Sequence, residues 1–106
     1  MFTLTPSETF KATVTVQVAT ATGGWKTESF VGEFERTDDD EREALLALSN
    51  KALVQRVLIG WDMKDEKKNP VEFNEIHKEM FMRLTGALRE TMLVYWQHNA
   101  GAKAKN

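Results

Sequence analysis

From Phe10 to Val18 the chain alternates strictly, with Phe10, Ala12, Val14, Val16 and Val18 apolar and Lys11, Thr13, Thr15 and Gln17 between them. A period of two places successive side chains on opposite faces of an extended backbone, so this stretch predicts a half-buried β-strand. Ahead of it, residues 1–9 set Thr, Pro, Ser and Glu around Phe2 and Leu4 and read as a short lead-in. Behind it, Ala19-Thr20-Ala21-Thr22 leads into Gly23-Gly24, and paired glycines reach the positive backbone angles of a hairpin without steric cost. The returning segment, Trp25 to Glu35, places Phe30, Gly32 and Phe34 on one face and Trp25, Thr27, Ser29 and Val31 on the other. Gly32 in that pattern predicts a bulge or the close approach of another backbone, at which the apolar face would change sides.

The periodicity then changes from two to between three and four. In Thr37-Asp38-Asp39-Asp40-Glu41, Thr37 or Asp38 can accept hydrogen bonds from free helical amides, Asp38 and Glu41 have capping-box spacing, and the remaining acids favour the positive end of a helix dipole. The helix that starts here carries Ala44, Leu45, Leu48, Ala52, Leu53, Val54, Val57 and Leu58 as a wide apolar stripe toward the sheet, and Ser49-Asn50-Lys51 offers a point at which it divides in two. Gly60 is expected to end it, although Val57, Ile59, Trp61 and Met63 also alternate as a strand would. Lys64 to Asn69 is a hydrophilic turn, and Pro70 holds Asn69 extended, which predicts a short ribbon joining Trp61 to Val71. Asn74 is a good N-cap. Beyond it Ile76, Met80, Leu84, Leu88, Met92 and Trp96 recur every four residues, flanked by Phe81, Ala87 and Tyr95, with Thr85-Gly86 marking a kink or a division into two helices. The expected architecture is one α+β domain over residues 1–106: an antiparallel β-hairpin at about 10–35 packed on three to four α-helices, at about 38–59 and 74–98, with a mobile tail at about 100–106.

Composition narrows the classes of function more than it names one. The chain has no cysteine, so its core must hold by packing without a disulfide or cysteine-based metal staple. No run of about 18 apolar residues could span a bilayer, and the N-terminal residues lack the basic flank and apolar core of a signal peptide, so a cytoplasmic location and no membrane partner are expected. A net charge of -2 with both signs interspersed provides no basic face for nucleic acid. A protein partner is the remaining default.

Catalytic chemistry is thinly represented. His77 and His98, the two histidines, stand roughly 30 Å apart on a continuous helix at 1.5 Å per residue, too far to share a metal or a proton. The acidic run at Asp38–Glu43 lacks the spacing and bend glycine of a calcium loop, and neither a zinc spacing nor a Walker-type phosphate loop is present. No nucleophile with an adjacent base stands out, so no enzyme activity and no cofactor are expected. The methionines Met63, Met80, Met82 and Met92, with Phe81, Tyr95 and Trp96, are a more informative set. They read first as core. Yet Met80, Phe81, Met82 and Leu84 cover more than one face of a helix, and adaptable thioethers suit a surface that binds a partner or a second copy of the chain.

One stretch carries a family resemblance. In Val57-Leu58-Ile59-Gly60-Trp61-Asp62-Met63-Lys64-Asp65-Glu66-Lys67-Lys68-Asn69-Pro70-Val71-Glu72-Phe73-Asn74 an apolar run meets Gly60-Trp61, then a turn with Asp65-Glu66, then Pro70-Val71 and Phe73 ahead of the next helix. This resembles the tail assembly chaperones of long-tailed bacteriophages and prophages, in which the turn usually also holds a glycine; here Lys68 or Asn69 stands in its place, and Asn tolerates the left-handed conformation. The resemblance extends more loosely over the whole chain, with strands before the motif and helices after it. It implies a non-enzymatic protein of the bacterial host cytoplasm that binds the tape-measure protein and keeps it soluble until tail-tube subunits assemble around it, with the tail-tube protein as a further partner and a homo-oligomer as a further state. Met80, Phe81, Leu84 and Met92 are the residues expected to contribute to partner binding. The alternatives are a structural tail-completion protein retained in the virion and an unrelated small enzyme or metal-binding domain.

Overall fold

The computed structural model describes residues 2–99; the segment read as a tail lies outside the described residues. Two long strands come first, β1 (Thr9–Ala19) and β2 (Trp25–Glu35), followed by α1 (Asp39–Leu46), α2 (Asn50–Val57), β3 (Leu58–Asp62), α3 (Glu75–Met82) and α4 (Ala87–Asn99). The expected α+β fold is present, with four helices and an antiparallel sheet of order β1-β2-β3. Among the described residues no helix is long and apolar enough to cross a membrane.

The hairpin forms as its alternation predicts. All eleven residues of β1 pair with β2, from Thr9 opposite Glu35 to Ala19 opposite Trp25, and the turn closes with Thr20 N–H donating to Gly24 O at 2.9 Å while Gly23 takes a φ of 95°. Ala12, Val14 and Val16 of β1 and Phe30 and Phe34 of β2 are buried on the helix side, and the intervening polar residues face solvent. The apolar face of β2 does not change sides at Gly32. A Cβ added there would lie 2.9 Å from Cε2 of Phe34 and 3.3 Å from Cδ1 of Leu58, so the glycine makes room for side chains and not for another backbone.

A third strand is the main departure from the sequence reading. The helix expected at about 38–59 is two helices with a strand after them. Asp38 caps α1 with the full capping box, its carboxylate accepting from Glu41 N–H at 3.1 Å, and Ser49 caps α2 by accepting from Ala52 N–H at 3.1 Å. Leu58 then turns extended (φ -84°, ψ 107°) and begins β3. Gly60 therefore ends no helix; it pairs with Glu33 in mid-strand. The free edge of β2 decides this, because it offers backbone partners to a segment rich in branched and aromatic residues, which suit a pleated surface. Ile59 is the extra residue of a bulge: Glu33 faces Gly60 and Phe34 faces Leu58, leaving Ile59 unpaired and exposed.

The helices cover one face of the sheet, with α4 on β1 and α2 against α4 and β3. Tyr95, Phe34, Leu45, Leu58, Val14, Val54 and Val57 are the largest fully buried apolar side chains. The division at Gly86 is real, with φ 87° at the glycine separating α3 from α4. A polar knot secures the far end of α4: Thr37 N–H donates to Oδ1 of Asn99 at 3.0 Å, Nδ2 of Asn99 donates to Oγ1 of Thr37 at 3.2 Å, and the Thr37 and Tyr95 hydroxyls are bonded to each other.

Two outcomes follow from this packing. Gly32→Ala should cost about 1–3 kcal/mol in a urea melt, since the added methyl would overlap the Phe34 ring; an unchanged midpoint would show that the ring moves aside freely. Burial raises the Tyr95 hydroxyl above its usual 10.0, outweighing the Thr37 bond. A raised folded-state pKa contributes stability that is complete below pH 10.0 and is lost as pH climbs through the folded value. The stability gap between wild type and Tyr95→Phe should accordingly be constant from pH 7 to 9 and shrink above pH 10; a gap that stays constant above pH 10 would contradict it.

Candidate functional site

The crossing from β3 to α3 is held by its own backbone bonds together with the side chains of Asp65 and Trp61. Met63 O accepts from Val71 N–H at 2.9 Å and Lys64 bridges to Pro70, so the expected ribbon between Trp61 and Val71 is present as a short ladder. Asp65 organises the turn, its carboxylate accepting from the N–H groups of Lys67 at 2.8 Å and Asn69 at 2.9 Å. Lys68, not Asn69, takes the left-handed conformation, with φ 66°. The bonds on either side of it, Lys68 N–H to Asp65 O and Asp65 N–H to Asn69 O, both at 2.9 Å, over-determine that strained position. Glu66 and Pro70 are exposed at the turn, and Gly60 sits opposite Glu33, whose Oε1 would lie 3.2 Å from a Cβ there.

Trp61 joins the crossing to the rest of the molecule. Its ring meets Phe73 edge-on at a centroid distance of 4.8 Å, with Phe30 of β2 and Phe81 of α3 each at 5.9 Å. The indole N–H donates to Val71 O at 2.8 Å. Phe73 in turn lies 5.4 Å from the ammonium of Lys78, which donates to Gln55 O at the last turn of α2 at 2.8 Å. Lys78 is only 4% exposed and has no carboxylate in contact; burial lowers its pKa, with Glu75 partly opposing the shift. The lysine is a strut between helices, and its side chain closes a carbonyl that α2 leaves open. Asn74 caps α3 as expected, accepting from His77 N–H at 2.8 Å, while Nδ1 of His77 donates to Glu72 O at 2.7 Å.

The motif residues Gly60, Trp61, Asp65, Glu66, Pro70, Val71 and Phe73 thus form a structural crossing. Its donors and acceptors point at one another, which leaves little for a ligand. Among the described residues no group of three or more His, Asp or Glu side chains is placed to hold a metal ion. A depression of about 150 Å³ is bounded by Lys11, Val31, Gly32, Glu33, Trp61 and Asp62.

The four residues singled out for partner binding separate into two pairs. Phe81 is core, 6% exposed and edge-on to Phe30 at 5.1 Å, and Met92 is half-buried against the same cluster. Met80 and Leu84 are exposed, at 60% and 49%, and Ile76, 73% exposed, lies one turn before Met80. The four-residue spacing of Ile76, Met80 and Leu84 does not mark the inward face of α3, whose inward residues are Lys78, Phe81 and Met82. Burial explains the rotation: Phe81 and Met82 pack into the core and Lys78 reaches Gln55 O of α2, which leaves Ile76 and Met80 outward, while at the surface Lys51 bonds Glu79 at 3.2 Å and Gln55 bonds Glu75 at 3.2 Å. The alternative spacing through Lys78, Phe81 and Met82 is visible in the sequence, but the lysine in it conceals the inward face.

Trp61→Phe should retain most ring contacts and lose the bond to Val71, destabilising by about 1 kcal/mol, whereas Trp61→Ala should cost about 3 kcal/mol because the half-buried ring fills the junction of three elements. Thermal melts followed by circular dichroism check both, and equal losses would mean that the bond rather than the ring carries the effect. Comparisons with protein-family models, with curated proteins and with solved structures find no match to this chain.

Proposed function

We propose that this chain is a tail assembly chaperone of a long-tailed phage or prophage, which holds the tape-measure protein soluble until the tail tube forms around it. The observation that carries the reading is the exposed apolar set of Ile76 and Met80 on α3 and Leu84 in the turn just after it, next to a crossing whose sequence resembles that family. Ile76 and Met80 stand one helical turn apart, about 6 Å along the axis, and with Leu84 beyond the helix end they offer apolar surface to the stripe of a partner helix laid against them. A tape-measure protein is long, helical and apolar along one side, and such a chain aggregates unless that side is covered. Methionine at the centre of the set suits a sequence of varied side chains, since the thioether repacks at little cost. Phe81 and Met92 belong to the core and its margin, and the task asked of the protein is binding and release, with no enzymatic step and no cofactor. The place of action on this reading is the cytoplasm of the bacterial host.

Co-expression with the cognate tape-measure protein tests the proposal. Wild type should raise the soluble fraction of that protein and co-purify with it. The double variant Met80→Lys/Leu84→Lys, with both positions solvent-facing, should keep the wild-type melt and lose at least tenfold in co-purified material. No solubilisation by wild type would sink the chaperone reading; full activity of the double variant would move the binding surface away from α3.

A further inference from the structure

We infer that the free edge of β1 is a self-association surface, through which two copies of the chain join their sheets into one of six strands. The hydrogen-bond pattern of the hairpin sets which groups are available. Arg36 N–H donates to Glu8 O at 2.8 Å and Thr20 N–H to Gly24 O at 2.9 Å, at the two ends of the register that pairs Thr9 with Glu35 and Ala19 with Trp25. Hydrogen-bonded and non-hydrogen-bonded pairs alternate along an antiparallel ladder, so the even-numbered residues of β1 spend their backbone groups on β2. Thr9, Lys11, Thr13, Thr15, Gln17 and Ala19 direct theirs outward, and among the described residues no strand pairs with that side.

An open edge of eleven residues is long for a natural protein, which ordinarily blunts such edges with charge, proline, bulges or short strands. Here the pairing with β2 runs without a bulge, no proline interrupts β1, and Lys11 is its single charge.

The sequence of β1 matches a second copy of itself. Antiparallel pairing about Val14 uses every residue from Thr9 to Ala19 and brings outward-directed residues opposite one another, as a ladder needs. On the solvent face Thr13 then meets Thr15 of the second copy and Lys11 meets Gln17, so the two lysines stay apart and the threonine hydroxyls adjoin. On the helix face Val14 meets Val14, Ala12 meets Val16 and Phe10 meets Val18. Phe10 and Val18 are half-buried within one chain, and this pairing sets each against the other's remaining apolar surface. Shifting the register by two residues either way, to centres on Thr13 or Thr15, leaves residues at both ends unpaired, and only a slip of six residues, centred on Lys11, opposes the lysines. This surface lies on β1 and does not involve Ile76, Met80 or Leu84, so the dimer stands or falls separately from the chaperone reading.

Sedimentation velocity from about 1 to 100 µM tests it, with circular-dichroism melts as a check on folding. Wild type should shift from the mass of one chain to that of two. Thr15→Pro removes an outward N–H and no bond to β2, a position where an edge strand tolerates proline, and should hold the mass at one chain. Thr13→Lys/Thr15→Lys should do the same by opposing like charges, and Thr13→Lys/Thr15→Glu, which opposes unlike charges in the same register, should restore the dimer at low salt. This last pair keeps the test decisive if proline disturbs folding. A wild type that stays at one chain throughout, or a dimer indifferent to both lysine-containing variants, would overturn the inference.

Discussion

The contact on which the molecule most depends is the meeting of Trp61 with Phe30, Phe73 and Phe81. Each of those rings comes from a different part of the chain: the middle of β2, the end of the charged crossing and the inward face of α3. Aromatic edges directed at aromatic faces gain a modest electrostatic term beyond the apolar area they remove from water. Their larger effect here is geometric, since a ring held on three sides fixes where β3 ends and where α3 begins. The bond from the indole to Val71 adds direction to a contact that apolar packing alone would leave free to rotate. Apolar residues thus determine the path of the crossing, and the charged residues between them stay in solvent.

At the opposite end of the sheet polar contacts take over. Thr37, Tyr95 and Asn99 join the segment after β2 to the last turn of α4, and Phe10 stacks on both Tyr95 and His98. Arg56 reaches from α2 to Glu41 of α1 at 2.8 Å and to Glu35 of β2 at 3.7 Å, though these groups are well exposed and screening limits their worth. Among the described residues one buried side-chain polar atom stays without a partner: Oγ1 of Thr91, on the inward face of α4. The helix layer is therefore held at two ends by different means, with an apolar lock at Trp61 and a hydrogen-bonded one at Tyr95.

What the packing leaves uncovered matters for function. The exposed residues Ile76, Met80 and Leu84 and the open edge of β1 are surfaces of different kinds, one offering apolar side chains and the other backbone groups. A helix-shaped partner suits the first because helix faces repeat every three to four residues. The second asks for an extended strand, and the chain already contains one that fits.

Much of the local structure was legible in the residues. The alternation of β1, the glycines of its hairpin, the caps at Asp38, Ser49 and Asn74, and the break at Gly86 all act within a few residues of one another, so sequence spacing reports them directly. Leu58 to Asp62 was different, because the same residues fit the last turn of a helix or a strand, and only the open edge of β2 supplied the hydrogen bonds that favoured the strand. The inward face of α3 likewise depended on α2: Lys78 became a core residue because Gln55 O and Phe73 were there to receive it, and Ile76 and Met80 turned outward in consequence. Even at the charged crossing, the chain contained the turn, the proline and the aromatics, while tertiary contact selected Lys68 for the left-handed position and made Trp61 the point where sheet, crossing and helix meet. Periodicity, caps and breaks follow from the sequence by itself, since neighbouring residues create them; which face turns inward and which edge stays open are decided by distant segments that compete for the same backbone groups and apolar area.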